Sequence, residues 1–156
     1  MKFFTYEWWK SLQCSGPHDD PSIDYRLHLA RIRNRLTPEL RRVEDGLSLH
    51  DGVLRRLWLD VASGRMALTI DLDDWSRPAC AVEFRYEGVS GLESTSPGRG
   101  DHLGGPIGFG RLGHLETDVT GENFEHRILF SSGIELRIVF SGFHFRLAGG
   151  AGDTNV

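Results

Sequence analysis

Hydrophobic positions in this chain change period near Leu47. Before that point apolar residues recur at spacings of three and four, and after it at spacings of two, so helices precede strands. The stretch from Leu47 to Leu72 carries the switch. Val53, Leu57, Leu59 and Val61 share one parity, which also takes in Arg55, and Met66, Leu68, Ile70 and Leu72 share the other. Two half-buried strands are therefore expected, joined by a turn over Ala62-Ser63-Gly64-Arg65, with Val61 opposite Met66 so that both apolar sets reach one face.

Upstream, Thr5 reads as the N-cap of a short helix with Glu7 in its first turn and Trp8, Trp9 and Leu12 as apolar content. One tryptophan is expected to reach the core with Phe3 or Phe4, and the other to sit at a boundary or interface. Ser15-Gly16-Pro17 ends this helix. Ser22 reads as the cap of a second, with Tyr25, Leu29, Ile32 and Leu36 as its buried stripe, and Thr37-Pro38 starts a third that carries Leu40 and Val43 and stops at Gly46. Downstream, the loop Asp73 to Pro78 leads to a strand with Cys80, Val82, Phe84 and Tyr86 on one face and Glu83, Arg85 and Glu87 on the other. Gly88 then resets the parity, by a bulge or a turn, so that Val89 points inward. Ser94 to Gly113 reads as one long glycine-rich loop, with Ile107 and Phe109 as its contact points. Next, Leu115, Thr117 and Val119 alternate with a polar row of His114, Glu116 and Asp118. The last hairpin turns at Ser131-Ser132-Gly133, a three-residue loop that sets Phe130 opposite Ile134. At Ser141-Gly142 a turn and a bulge both fit, and residues 149–156 read as a disordered tail.

The pattern predicts an α+β fold: two or three N-terminal helices packed on a mostly antiparallel sheet of six or seven strands that can curl toward a barrel. The 156 residues suit one domain over 1–148, helical over 1–46 and β over 47–148, large enough to bury about 70% of its unfolded surface. Cys14 and Cys80 are far apart in sequence and outside any CxxC pattern, so both read as free thiols. Glu7 interrupts the only apolar run near the start, which argues against a signal peptide and for a cytoplasmic protein. Net charge is -4, with 18 basic and 22 acidic residues. The segment from Ser22 to Arg42 nevertheless holds Arg26, Arg31, Arg33, Arg35, Arg41 and Arg42 against Asp24 and Glu39. A basic helical piece sits on an acidic body.

Two stretches carry a family resemblance: Met1-Lys2-Phe3-Phe4-Thr5-Tyr6-Glu7-Trp8 and Leu49-His50-Asp51-Gly52. Together they resemble the bacterial domain-of-unknown-function family number 4085, whose members open on a similar Met-Lys-aromatic-Phe-Thr run and carry Leu-His-Asp just before a strand-rich half. The strand layout after His50 is also similar to that of some immunity proteins of bacterial toxin systems. The resemblance implies an α+β fold and a bacterial cytosolic protein. It brings no activity with it.

Three groups of side chains could carry chemistry. The pair His50 and Asp51 can bind a divalent ion or exchange a proton, but neighbours on a strand point to opposite faces. Asp51 is instead expected to be structural, its carboxylate accepting from backbone N–H groups in Leu47 to Gly52. His114, Glu116 and Asp118 lie on one strand face about 6.5–7 Å apart, long for a shared metal and ordinary for a solvated polar row. His18-Asp19-Asp20 and Asp101-His102 are weaker loop clusters. The arginines of the second helix could meet phosphates, although no base-reading motif accompanies them. The glycine loop fits neither a GxGxxG fingerprint nor a P-loop, and no cofactor is expected. The expected function is a non-catalytic protein-binding module with Trp8, Trp9, Arg26, Arg31, Arg33 and Arg35 as candidate interface. A metal-dependent hydrolase using His50, Asp51 or the His114 row is the first alternative, and nucleic-acid binding through the second helix is the other.

Overall fold

A computed structural model describes residues 1–12, 19–72, 80–96 and 108–148. Expectations for Cys14, His18, Ser15-Gly16-Pro17, the loop Asp73 to Pro78, Asp101-His102, Ile107 and the tail 149–156 lie outside these residues. Helix α1 (Tyr6–Ser11) begins as expected, with the Thr5 hydroxyl accepting from Trp8 N–H. Helix α2 (Ser22–Ile32) runs into a 3₁₀ turn, Arg33–Arg35. Its Ser22 is not the cap, since the Asp20 carboxylate accepts from Ser22 N–H at 2.9 Å. Helix α3 (Pro38–Gly46) has Pro38 in its first turn and Thr37 accepting from Leu40 N–H. Tyr25, Leu36, Leu40 and Val43 are buried, and Leu29 and Ile32 pack partly against the same core.

Eight strands follow among the described residues: β1 (Val53–Asp60), β2 (Arg65–Leu72), β3 (Cys80–Glu87), β4 (Gly91–Thr95), β5 (Leu112–Thr120), β6 (Asn123–Phe130), β7 (Glu135–Phe140) and β8 (Gly142–Ala148). They form two antiparallel four-stranded sheets, ordered β1-β2-β3-β8 and β4-β7-β6-β5, which replaces the expected single sheet of six or seven strands. They do not close into a barrel, although one bridge, Val53 with Arg111, links the start of β1 to the approach of β5.

The division into two sheets is made at one corner. Glu87 pairs with Gly142 in one sheet and Gly91 with Val139 in the other, so three residues, Gly88 to Ser90, face two, Phe140 and Ser141. That extra residue is a β-bulge, and it bends a long two-stranded ribbon so that β3 and β8 stay in one sheet while β4 and β7 enter the other. Ser141-Gly142 is thus the partner side of a corner, neither a hairpin turn nor a bulge within one sheet. Gly88 has φ +59°, which favours glycine, and a Cβ there would also force the Ser141 hydroxyl, 2.1 Å away, to rotate aside. The glycine-rich region is also shorter than expected, because Ser94 and Thr95 belong to β4 and Leu112 opens β5.

Elsewhere the alternation holds with two corrections. A bulge between Leu54 and Arg56 moves Leu54, instead of Val53, onto the core side. The β1–β2 register sets Leu59, not Val61, against Met66, and leaves Val61 exposed in the turn. The last hairpin is as expected, with Phe130 N–H donating to Ile134 C=O at 2.9 Å and Gly133 at φ +80°. Between the sheets lie Leu68, Ile70, Val82, Phe84, Ile128, Phe130, Ile138 and Phe140, joined by Leu36, Leu40 and Val43 from the helical part, so both parts share one core.

Inside that core sits a histidine. His126 is fully buried among Phe84, Tyr86, Phe140 and Phe143, with ring centroids at 5.0–6.1 Å. The Tyr86 hydroxyl hydrogen-bonds Nδ1 at 3.1 Å, while Nε2 has no partner among the described residues. A phenol donating to Nδ1 leaves the imidazole proton on Nε2. Burial lowers the His126 pKa to about 3. A depressed histidine gives stability that is complete above its ordinary pKa and lost as pH falls, because the unfolded chain takes up the proton first. Between pH 7 and pH 5 this loss amounts to about 2 kcal/mol. Denaturant melts should show that Tyr86→Phe/His126→Phe loses about 2 kcal/mol less than wild type over that interval; parallel losses would remove His126 as the sensor.

Candidate functional site

The polar row of β5 does not face solvent. Its inner neighbours, Leu115, Thr117 and Val119, pair with Ile128, His126 and Phe124, which turns His114, Glu116 and Asp118 to the outer face of the sheet. There the N-terminal segment lies across them. Glu116 is 1% exposed, and its carboxylate accepts from Lys2 N–H at 2.8 Å, and from Phe3 and Phe4 N–H at 2.7 Å each. Arg127 Nη1 stands 3.9 Å away. Asp118 takes the Lys2 ammonium and lies 3.2 Å from His28 Nε2 and 3.5 Å from Arg127. Burial raises the Asp118 pKa, but the Lys2 and Val119 hydrogen bonds outweigh it and hold it below the usual range. His114 stacks on Phe4, with centroids 4.3 Å apart and planes 9° from parallel. A row that could have held a metal is occupied by the chain's own opening residues.

His50, but not Asp51, lines a cleft of about 260 Å³ between α3 and β5, together with Glu44, Ser48, His114 and apolar neighbours. His50 Nδ1 is 2.9 Å from Asp51 Oδ2, and both side chains are more than half exposed. The Asp51 carboxylate therefore bonds its neighbour's imidazole, and the expected bonds to backbone N–H are made elsewhere. Asp51 N–H donates to Leu112 C=O and Gly52 N–H to Leu49 C=O. What Asp51 supplies is a left-handed backbone, φ +64°, unique among described non-glycine residues, which lets the chain turn into β1 beside β5. The ring of His50 approaches His114 at 6.0 Å, edge to face. Burial, aided by the His50 charge and opposed by Glu116, brings the His114 pKa down to about 4. A third acidic or thiol ligand is missing from this pair, since no group of three or more His, Cys, Asp or Glu able to hold a metal occurs among the described residues.

Beside the cleft is a network that sequence reading missed. The Tyr25 hydroxyl donates to Glu44 Oε1 at 3.0 Å and accepts from Thr117 N–H at 2.7 Å, and the Thr117 hydroxyl also reaches Glu44. Burial raises the Glu44 pKa despite these bonds. Thr117 N–H belongs to the free edge of β5, so Tyr25 seals that edge with a side chain. The stripe position of Tyr25 was legible, but its polar end gave no signal.

The candidate interface residues divide. Trp8 Nε1 donates to Asp19 C=O and its ring packs on Phe4 and His114, while Trp9 stacks on Tyr6. Neither tryptophan is buried; Phe4 and Tyr6 are. Arg33 forms a two-pronged pair with Asp45 at 2.7 and 2.8 Å, and Arg35 reaches Gly121 C=O. Arg26 and Arg31 are exposed, and between them Ile23 and Leu27 stand 57% and 52% exposed on the side of α2 away from the core. Helix α2 is thus apolar on two sides. A second exposed surface went unseen: a groove of about 500 Å³ on the outer face of the β1-β2-β3-β8 sheet, floored by Ala67 and Thr69 and flanked by Arg56, Trp58, Arg65 and Arg85. The pairing of Trp58 with small Ala67 was the available hint.

No protein-family profile matches the chain, and neither does any curated protein. Among solved structures, the chain is similar to an uncharacterized protein from Neisseria gonorrhoeae, at 13% identity and a TM-score of 0.46, over 64% of this chain and 93% of that one. No helix among the described residues is long and apolar enough to cross a membrane.

Two substitutions test the assignments above. Glu116→Ala leaves three N–H groups without their acceptor and should cost about 3 kcal/mol in a denaturant melt, with Glu116→Gln intermediate; wild-type stability in Glu116→Ala would dismiss the clamp. At Asp51 the conformational role predicts that Ala is worse than Gly by about 1 kcal/mol, because only Gly relieves the left-handed strain, with Asn close to wild type. Ala and Gly variants of equal stability would show that φ at this position is not the determinant.

Proposed function

We propose that the chain is a non-catalytic, bacterial cytosolic protein-binding module whose contact surface is the outer side of α2. The observation that carries this reading is the exposed pair Ile23 and Leu27, one helical turn apart, flanked by Arg26 and Arg31. A helix that shows apolar anchors at i and i+4 beside exposed arginines fits an acidic-rimmed apolar groove on another protein. Charge favours such a partner, since the Ser22 to Arg42 segment is basic while the whole chain is acidic. The hydrolase reading is weaker, because Glu116 and Asp118 are already bonded to the N-terminal segment. The nucleic-acid reading loses Arg33 and Arg35 to Asp45 and Gly121. Affinity capture from the native cytosol should recover a specific partner with wild type, less of it at high salt, and none with Ile23→Ser/Leu27→Ser. Recovery of the same proteins by both baits would contradict the assigned surface.

A further inference from the structure

Of the four outer strands in the two sheets, β5 has an edge N–H bonded by Tyr25 of α2, β8 has α3 nearby, and β4 is only five residues long. Strand β1 is eight residues long, and among the described residues its outer edge takes nothing beyond the single bridge at Val53. An open edge of that length offers a row of unpaired N–H and C=O groups. It is also apolar where it is open, with Leu57 at 39% and Trp58 at 45% exposure.

The sequence of this edge is complementary to itself. Arg56-Leu57-Trp58-Leu59-Asp60 reads cation, leucine, tryptophan, leucine, anion, symmetric in size about Trp58 and opposite in charge at its ends. Arg56, Trp58 and Asp60 share the outer face, being opposite Thr69, Ala67 and Arg65, while Leu57 and Leu59 share the core face opposite Leu68 and Met66. We propose that two copies of the chain join through β1, antiparallel about a two-fold axis at Trp58. In that register Arg56 meets Asp60 of the second copy twice over, Leu57 meets Leu59 of the second copy on the core side, and the two Trp58 rings meet on the outer face. Directly opposed side chains of this kind are what stabilises an antiparallel pair. Arg56 is available for the pairing, with no ion-pair partner among the described residues. Asp60 accepts from Ala62 N–H, Ser63 N–H and the Ser63 hydroxyl within its own turn and feels the charge of Arg65 opposite it on β2, with one lone pair on Oδ2 left for the Arg56 guanidinium of the second copy. Two four-stranded sheets then become one continuous sheet, and the contact is isologous, as a two-fold interface must be. A single edge pairing buries an area at the lower end for specific interfaces, so a micromolar dimer is expected. This inference is independent of the α2 surface.

The test is sedimentation equilibrium of the full chain from about 1 to 300 μM, a range that brackets micromolar association, with circular dichroism confirming the fold of every variant. Wild type should move from monomer to dimer across it. Arg56→Asp, which sets like charges against each other twice, should weaken association at least about tenfold. Arg56→Asp/Asp60→Arg restores complementary ends in the same register and should return association to within about threefold of wild type. A wild-type chain that stays monomeric throughout overturns the proposal, as does a dimer indifferent to Arg56→Asp. Loss of the dimer in the folded single variant without recovery in the folded double variant overturns the register and with it the axis at Trp58.

Discussion

A buried carboxylate holds the backbone of residues 2–4 to the sheet. Glu116 accepts three consecutive backbone N–H groups, those of Lys2, Phe3 and Phe4, at a position with almost no solvent contact. An unpaired carboxylate there would be costly, and an extended segment with three unpaired amides would be costly too. Together they satisfy each other, and each bond is charge-assisted. The consequences spread outward from this contact. Phe4 is brought onto His114, Phe3 and Phe4 onto Tyr25, and Lys2 onto Asp118. Helix α2 can then lie against β5 with Tyr25 pointing at the strand edge.

The same contact decides what the polar face of β5 is for. His114, Glu116 and Asp118 form the local array with the best claim to metal chemistry, yet each is turned to internal use: one stacked, one bonded to backbone, one paired with Lys2 and near His28 and Arg127. Arg127 and Arg137 continue the network across β6 and β7, with Arg137 2.8 Å from both Glu93 and Glu125. On the β5 side, the outer face of this sheet is a charged layer covered by α2 and the N-terminal segment, while Glu93 at its β4 side is exposed. Among the described residues, no helix covers the outer face of the other sheet, where Trp58 is 45% exposed.

Much of the architecture was legible because period follows burial. Cys80 to Tyr86, the hairpin at Ser131-Ser132-Gly133 and the caps Thr5 and Thr37 read directly from residue type, since each is decided by a few adjacent positions. What alternation cannot distinguish is what covers a polar face. Glu116 and Asp118 alternate as a solvated row would, and only the return of residues 2–4 from more than a hundred positions away buries them. The split into two sheets was hidden for a related reason. Gly88 and Ser141 each announced a parity change, but only their juxtaposition across the ribbon turns two local irregularities into one corner. Asp51 was marked as structural, and the mechanism lay in its left-handed φ, to which its side-chain chemistry gave little clue.

The central claim is that residues 2–4 are an integral layer of the fold, held by Glu116. Native-state hydrogen exchange at the Phe3 and Phe4 amides measures this most directly, because exchange requires that their bonds to the carboxylate open. The account predicts protection at both amides comparable to that of β5 and β6, lost selectively at these positions in Glu116→Ala while the strands stay protected. Exchange at Phe3 and Phe4 as fast as in an unstructured peptide, in wild type with β5 and β6 still protected, would contradict it.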